Sequence, residues 1–132
     1  MKRECLNCGN LGMARGKRDV RIQYGGLTDT VHELMGWHCP NCQDAEFLVG
    51  EGERYVAALE ALRKRARERD AKQLARVRKQ LNLTQQEAAR LTGGGKNAFS
   101  RYERGQAKPM PAVVNLFRLL ERHPDLLAEL QD

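Results

Sequence analysis

The residues of this chain best equipped for chemistry are four cysteines, Cys5, Cys8, Cys39 and Cys42, set as two Cys-x-x-Cys pairs separated by residues 9–38. A two-residue spacer lets both sulfurs of a pair reach one ion. Four thiolates in a tetrahedron satisfy Zn²⁺ and leave no position for water, so such a site is structural rather than catalytic. Gly9 after the first pair and Pro40 inside the second suit the tight turns this requires. We read a structural Zn²⁺ site, although the same spacing admits a mononuclear iron, and a labile disulfide pair or inert thiols are further alternatives. A thiol-disulfide redox role lacks the βαβ surroundings expected of it. His38, beside Cys39, reads as a surface neighbour of the site, and His32 and His123 receive no role.

A second constellation lies near the other end. Asn97 and Arg101 are four residues apart, so on a helix they point the same way. Asn and Arg have the best bidentate geometry for base edges, Asn to adenine and Arg to guanine. Phe99 and Tyr102 can face a core and fix this helix. Lys96, Asn97, Ser100, Arg101 and Arg104 are then turned outward.

Elements must position both sets. Val20, Ile22 and Tyr24 alternate with polar residues from Gly16 onward, the period of a half-buried strand. Gly25-Gly26 offers the positive φ values of a tight hairpin turn, and a second strand follows from Leu27 to Trp37. This hairpin would bring the cysteine pairs together. Tyr55, Leu59, Leu62 and Ala66 predict a helix over 53–69. The run from Arg63 to Lys72 is strongly basic, either a solvated face or a phosphate contact.

Beyond it, Leu74, Val77 and Leu81 predict another helix, broken at Asn82-Leu83. Thr84 with Glu87 has the capping-box spacing for a helix over Gln85–Leu91, which stops at Gly93-Gly94-Gly95. A third helix is predicted over roughly Lys96 to Arg104, closed by Gly105. A fourth follows over Ala112–Arg122 and a short fifth after His123-Pro124. Dimer contacts are expected from Leu116, Leu119, Leu120, Leu126, Leu127 and Leu130, with the domain's own core as the alternative for half of them.

The fold class is therefore α+β: a small zinc-bound hairpin and helix domain over 1–65, a basic linker over 66–72, and an all-α five-helix domain over 73–132. Domains near 60 residues bury only ~60% of their unfolded surface, so a metal staple on the first is physically sensible. The chain has 132 residues with a formal net charge of +6, which hints at a polyanionic partner. No apolar run approaches a membrane span, and the beginning MKRECLNCGN has no apolar signal region, so we expect a cytoplasmic protein with no membrane partner. No carboxylate cluster or histidine pair supports an enzyme. Aromatic platforms for RNA are missing as well.

The order Thr84-Gln85-Gln86-Glu87-Ala88-Ala89, Gly93, then Asn97 to Gly105 resembles the Cro/repressor type of helix-turn-helix. In such domains the start of the second helix of the motif enters the major groove. Asn97 and Arg101 would read bases, while Gln85, Lys96 and Ser100, with Arg63 and Arg65, would touch the backbone. Thr92 and Gly94 around Gly93 depart from the apolar residues common there.

The whole chain resembles the MqsA-type antitoxins, through the two CxxC pairs, the strand hairpin, the string GGGKNAFSRYERG and a helical tail containing HPDLL. That resemblance implies a bacterial type II antitoxin whose zinc domain masks a ribonuclease toxin and whose C-terminal domain forms a homodimer and represses transcription at an operator. It matches Cys5, Cys8, Cys39 and Cys42 to zinc ligands and Asn97 and Arg101 to base-reading positions. A stand-alone zinc-stabilised repressor without a toxin is the alternative.

Overall fold

The computed structural model describes residues 2–131. The chain divides into two compact units, one up to Lys64 and one from Arg65.

The first unit is built on a three-stranded antiparallel sheet, β1 (Ala14–Tyr24), β2 (Leu27–His38) and β3 (Ala45–Phe47), in the order β1-β2-β3. Gly25 and Gly26, with φ of 57° and 81°, make the two-residue turn that the hairpin reading required. Strand β1 begins at Ala14, two residues before the predicted start. Strand β3 was not foreseen, because three residues are too few to display a period. It pairs with β2 only because position 36 is glycine: a Cβ there would lie 2.4 Å from the Glu46 carbonyl oxygen. The ladder slips between Arg18 and Val20, where β2 accommodates an extra residue and Glu33 takes φ of 53°. The Asp19 carboxylate accepts from the Glu33 N–H at 2.9 Å and secures that bulge.

Helix α1 (Glu51–Gln80) starts in this unit. Its Leu62 joins Ile22, Val31 and Leu34 in a core edged by Val20, Tyr24, Phe47 and Tyr55. At its first turn Glu51 accepts from the Met35 N–H at 3.1 Å, and Arg54 donates to the His32 carbonyl at 2.6 Å. These bonds hold the helix start against the bulged strand. One expectation is corrected here. The helices predicted over 53–69 and around Leu74–Leu81 are one continuous helix, since residues 66–72 contain no glycine or proline and Ala66, Ala71, Leu74 and Val77 extend the buried stripe. The helix ends where Asn82 takes φ of 56°, with the Leu83 N–H bonded to the Arg78 carbonyl and that of Asn82 to Lys79.

The second unit continues with α2 (Gln85–Leu91), α3 (Ala98–Glu103), α4 (Pro111–Arg122), a 3-10 turn at Pro124–Leu126 and α5 (Leu127–Leu130). Leu74, Val77, Ala88, Ala89, Phe99, Val113 and Phe117 form its core. Among the described residues no helix is long and apolar enough to cross a membrane.

Candidate metal centre and candidate nucleic-acid interface

Each cysteine pair is a backbone knuckle, and the two knuckles repeat one design. The N–H of Gly9 bonds to the Cys5 carbonyl and that of Gln43 to the Cys39 carbonyl. In turn the Cys5 N–H reaches the Asn10 carbonyl, and the Cys39 N–H that of Asp44. Gly9 and Gln43 occupy matching places and both take left-handed φ, 77° and 67°. The first knuckle precedes β1 and the second follows β2, so the hairpin delivers them to the same end of the sheet.

The four sulfurs lie within 4.8 Å of one another, with Cys5–Cys42 and Cys8–Cys39 each at 3.6 Å. A tetrahedron of Zn–S bonds has edges of about 3.8 Å. The donor set and its spacing therefore fit a four-coordinate metal ion, and the chain presents a four-cysteine cluster positioned to bind one. Cys5 and Cys39 are buried with Met13, Cys8 is exposed and Cys42 half-buried.

The electrostatics of the free thiols explain why a cation belongs there. At Cys8 the Asn41 amide and the Asn10 N–H hold the thiol down, at about 6. At Cys5 the Cys8 N–H pulls downward, but burial and the adjoining sulfurs of Cys42 and Cys39 outweigh it and push the thiol up to about 11. Four thiolates this close cannot all carry charge unaided, and a divalent ion removes the conflict.

His38 is a correction. Rather than a surface neighbour it is buried, with Nε2 3.1 Å from the Leu34 carbonyl oxygen. Its position in β2, four residues from Leu34, puts it on the same face of the strand.

The second unit holds the helix-turn-helix pair. The capping box forms in both directions: the Glu87 N–H donates to the Thr84 hydroxyl at 3.0 Å, and the Thr84 N–H to the Glu87 carboxylate at 3.1 Å. Ala88 and Ala89 are buried, as their small size allows. The glycine turn is ordered by the Gly94 N–H on the Ala89 carbonyl and by Gly93 at φ 74°. Thr92, which stands where an apolar residue is usual, sends its hydroxyl to the carbonyls of Ala88 and Ala89 and so closes α2 from within.

Helix α3 begins at Ala98, so Lys96 and Asn97 precede it rather than belonging to it. Phe99 is fully buried, its ring 5.7 Å from Tyr102 and 5.1 Å from Phe117, and this anchor fixes which way the helix faces. Asn97 occupies the N-cap position, yet its side chain makes no capping bond. The Arg101 N–H donates to the Asn97 carbonyl at 3.1 Å, which places the two residues one turn apart, and both are exposed. Gly105 closes the helix at φ 71°.

The other predicted backbone-contact residues are scattered. Lys96 is exposed beside Asn97, and Ser100 is half-buried, its carbonyl taken by the Arg104 guanidinium. Gln85 is half-buried and donates to Glu103 at 3.3 Å. In the first unit Arg63 donates to Glu60 at 2.8 Å and lies over the Tyr24 ring, whereas Arg65 is exposed in the second.

Sequence reasoning missed the group that ties the motif to α1. Arg78 forks onto both oxygens of Glu103, at 2.7 and 2.9 Å, and donates to the Leu83 carbonyl at 2.8 Å. Both side chains are close to buried, 12% and 9% exposed. Residues 25 positions apart leave no local signal of pairing.

Leu116 and Leu120 pack inside this unit, whereas Leu119, Leu126 and Leu130 are exposed. The division between core and outward leucines thus falls within the set named from sequence.

Comparison with known proteins accords with these observations. The family described as the antitoxin component of bacterial toxin-antitoxin systems, MqsA, matches residues 1–131. Antitoxin MqsA of Escherichia coli (strain K12) is 34% identical over 130 residues, covering 97% of this chain and 99% of that protein.

Proposed function

The chain belongs to the MqsA family, the antitoxin components of bacterial toxin-antitoxin systems, and from that premise we propose that it is a bifunctional cytoplasmic repressor and toxin-neutralising protein. Its second unit reads operator DNA as a homodimer, and its first, held by structural Zn²⁺ on Cys5, Cys8, Cys39 and Cys42, binds a ribonuclease toxin.

One observation carries the DNA reading: Asn97 and Arg101 are exposed one turn apart at the start of α3, behind which Phe99 is locked into the core. Anchored from behind, the helix backbone is ordered before DNA is met, so binding has to order only the two bidentate side chains. Lys96 beside them is placed to meet a phosphate, and Arg65 on α1 offers a further cation. Gln85 and Ser100 complete the proposed backbone set through their polar atoms, and Arg63 contributes only by giving up Glu60. The exposed Leu119, Leu126 and Leu130 offer apolar surface for a two-fold contact, which would set half-sites about one helical turn apart.

Family membership supports the toxin partner, and the ribonuclease chemistry comes from the resemblance. The sulfur geometry supports the metal, which we read as zinc, since a closed thiolate tetrahedron satisfies that ion fully. Bound zinc would supply only cross-linking of the knuckles. Four thiolates leave it no open coordination position, in keeping with the non-enzymatic regulator that the family indicates.

The test uses the full chain and DNA from upstream of its own gene. Arg101→Ala should weaken operator binding by roughly 1–3 kcal/mol, and relax discrimination at one base pair, while leaving the melting temperature alone. Wild-type affinity for both operator and scrambled DNA would refute the base-reading assignment. Purification from the native operon, with metal and polypeptides counted, tests the rest. A stoichiometric partner that cleaves RNA once released supports the antitoxin reading, and zinc without a partner leaves a stand-alone repressor.

A further inference from the structure

The two knuckles share one feature that metal ligation alone does not require. Asn7 immediately precedes Cys8 and Asn41 immediately precedes Cys42, and neither amide serves its own knuckle. The Asn7 amide nitrogen donates to Cys42 Sγ at 3.5 Å, and that of Asn41 donates to Cys8 Sγ at 3.5 Å. The two sulfurs that receive these bonds are the less buried pair. Cys5 and Cys39, 1% and 2% exposed, are shielded by packing instead.

We propose that Asn7 and Asn41 form a reciprocal clasp across the knuckles, each amide holding the solvent-facing thiolate of the opposite one and so retarding loss of the metal. The inference rests on the metal reading above and adds residues that touch no metal. Asparagine is common in turns because its side chain bonds to nearby backbone. Asn10 does this, its Oδ1 accepting from the Gly12 N–H at 2.7 Å. Asn7 and Asn41 instead direct their donors at sulfur.

The physics favours an effect on metal retention. A donor aimed at a sulfur from across the cluster holds that sulfur in its ligating position. Hydrogen bonds around a metal's ligands typically change affinity 10–100-fold. Since each bond also joins one knuckle to the other, releasing one exposed sulfur means breaking a link that helps hold the second.

The experiment loads the full-length protein with Zn²⁺, counts the bound ion, and follows its release to an excess of chromogenic chelator at fixed pH. Asn7→Ala and Asn41→Ala should each release zinc about tenfold faster, and the double variant faster than either. Asn7→Leu and Asn41→Leu, similar in size but without a donor, should behave alike and serve where alanine disturbs the turn. In Co²⁺-loaded protein the sulfur-to-cobalt charge-transfer band should move to lower energy in these variants. Wild-type release rates and an unmoved cobalt band in the alanine and leucine variants would overturn the clasp. Wild-type protein that binds no metal would overturn the metal reading and the clasp with it, and the ion count separates the two failures.

Discussion

The two units solve the same problem of size by different means. The first keeps its apolar residues in two small groups, Ile22, Val31, Leu34 and Leu62 on the sheet, and Met13 between the cysteines. The second collects Leu74, Val77, Ala88, Ala89, Phe99, Val113 and Phe117 into one core and adds the Arg78–Glu103 pair. Small domains gain little from hydrophobic burial and often need a metal. On the proposed metal reading, one unit relies on its four-cysteine cluster, whereas the other has ring packing and helix caps. The second presents its proposed reading residues from a frame built on that core.

The sharpest way to break this contrast is to remove the metal. Structural zinc contributes on the order of 10 kcal/mol or more to small modules. Chelation should therefore collapse the amide resonances of residues 2–50 while those of 84–122 keep their dispersion. Simultaneous loss of both sets, or of neither, would show that the units do not differ in this way.

The reverse test is Phe117→Ala, which empties the centre of the second core beside Phe99. It should cost about 3–5 kcal/mol in that unit's unfolding and leave bound metal at the wild-type level. Metal loss in this variant would contradict the separation.

Gly36→Ala probes the first unit without touching a cysteine. The added Cβ meets the backbone of Glu46 and Phe47, which cannot rotate away, so β3 must move. A destabilisation of roughly 1–3 kcal/mol, the range for overpacking, should appear in the first unit's transition, read by Trp37 fluorescence. An unchanged transition would mean that β3 contributes nothing to this unit.

The smallest effect concerns the capping box. The Thr84 N–H, and then its hydroxyl, hold the Glu87 carboxyl below its ordinary value. A depressed carboxylate stabilises the fold above its ordinary value of 4.5 and loses that contribution as pH falls through the lowered one. Glu87→Gln should thus melt below wild type at neutral pH, and the gap should close on acidification past 4.5 in the helical transition. A gap that is constant with pH would assign the loss to something other than charge.

Much of this molecule was legible in sequence because its signals are local. Two cysteines three apart define a knuckle, Gly25-Gly26 a two-residue turn, Thr84 and Glu87 a capping box, and Gly105 a left-handed close. In each case the backbone geometry follows from residues that are neighbours in the chain, so no distant partner has to be known. The same holds for Phe99 behind Asn97 and Arg101, where helical spacing alone separates the anchored face from the exposed one.

What only the tertiary structure decided are relations between distant residues. Strand β3 exists because β2 offers a glycine for its backbone to approach. His38 is buried because its strand position turns it inward, although its nearest neighbour in sequence is a cysteine of the cluster. Arg78 finds Glu103, and Asn7 and Asn41 cross to the opposite knuckle, because the fold brings their backbones together. The continuity of helix α1 past the basic stretch was hidden because a charged helix face and a linker look alike in composition, and the burial of Ala66, Ala71 and Leu74 tells them apart. Spacing along the chain fixes what one turn can do, and pairing across it is set by where the core closes.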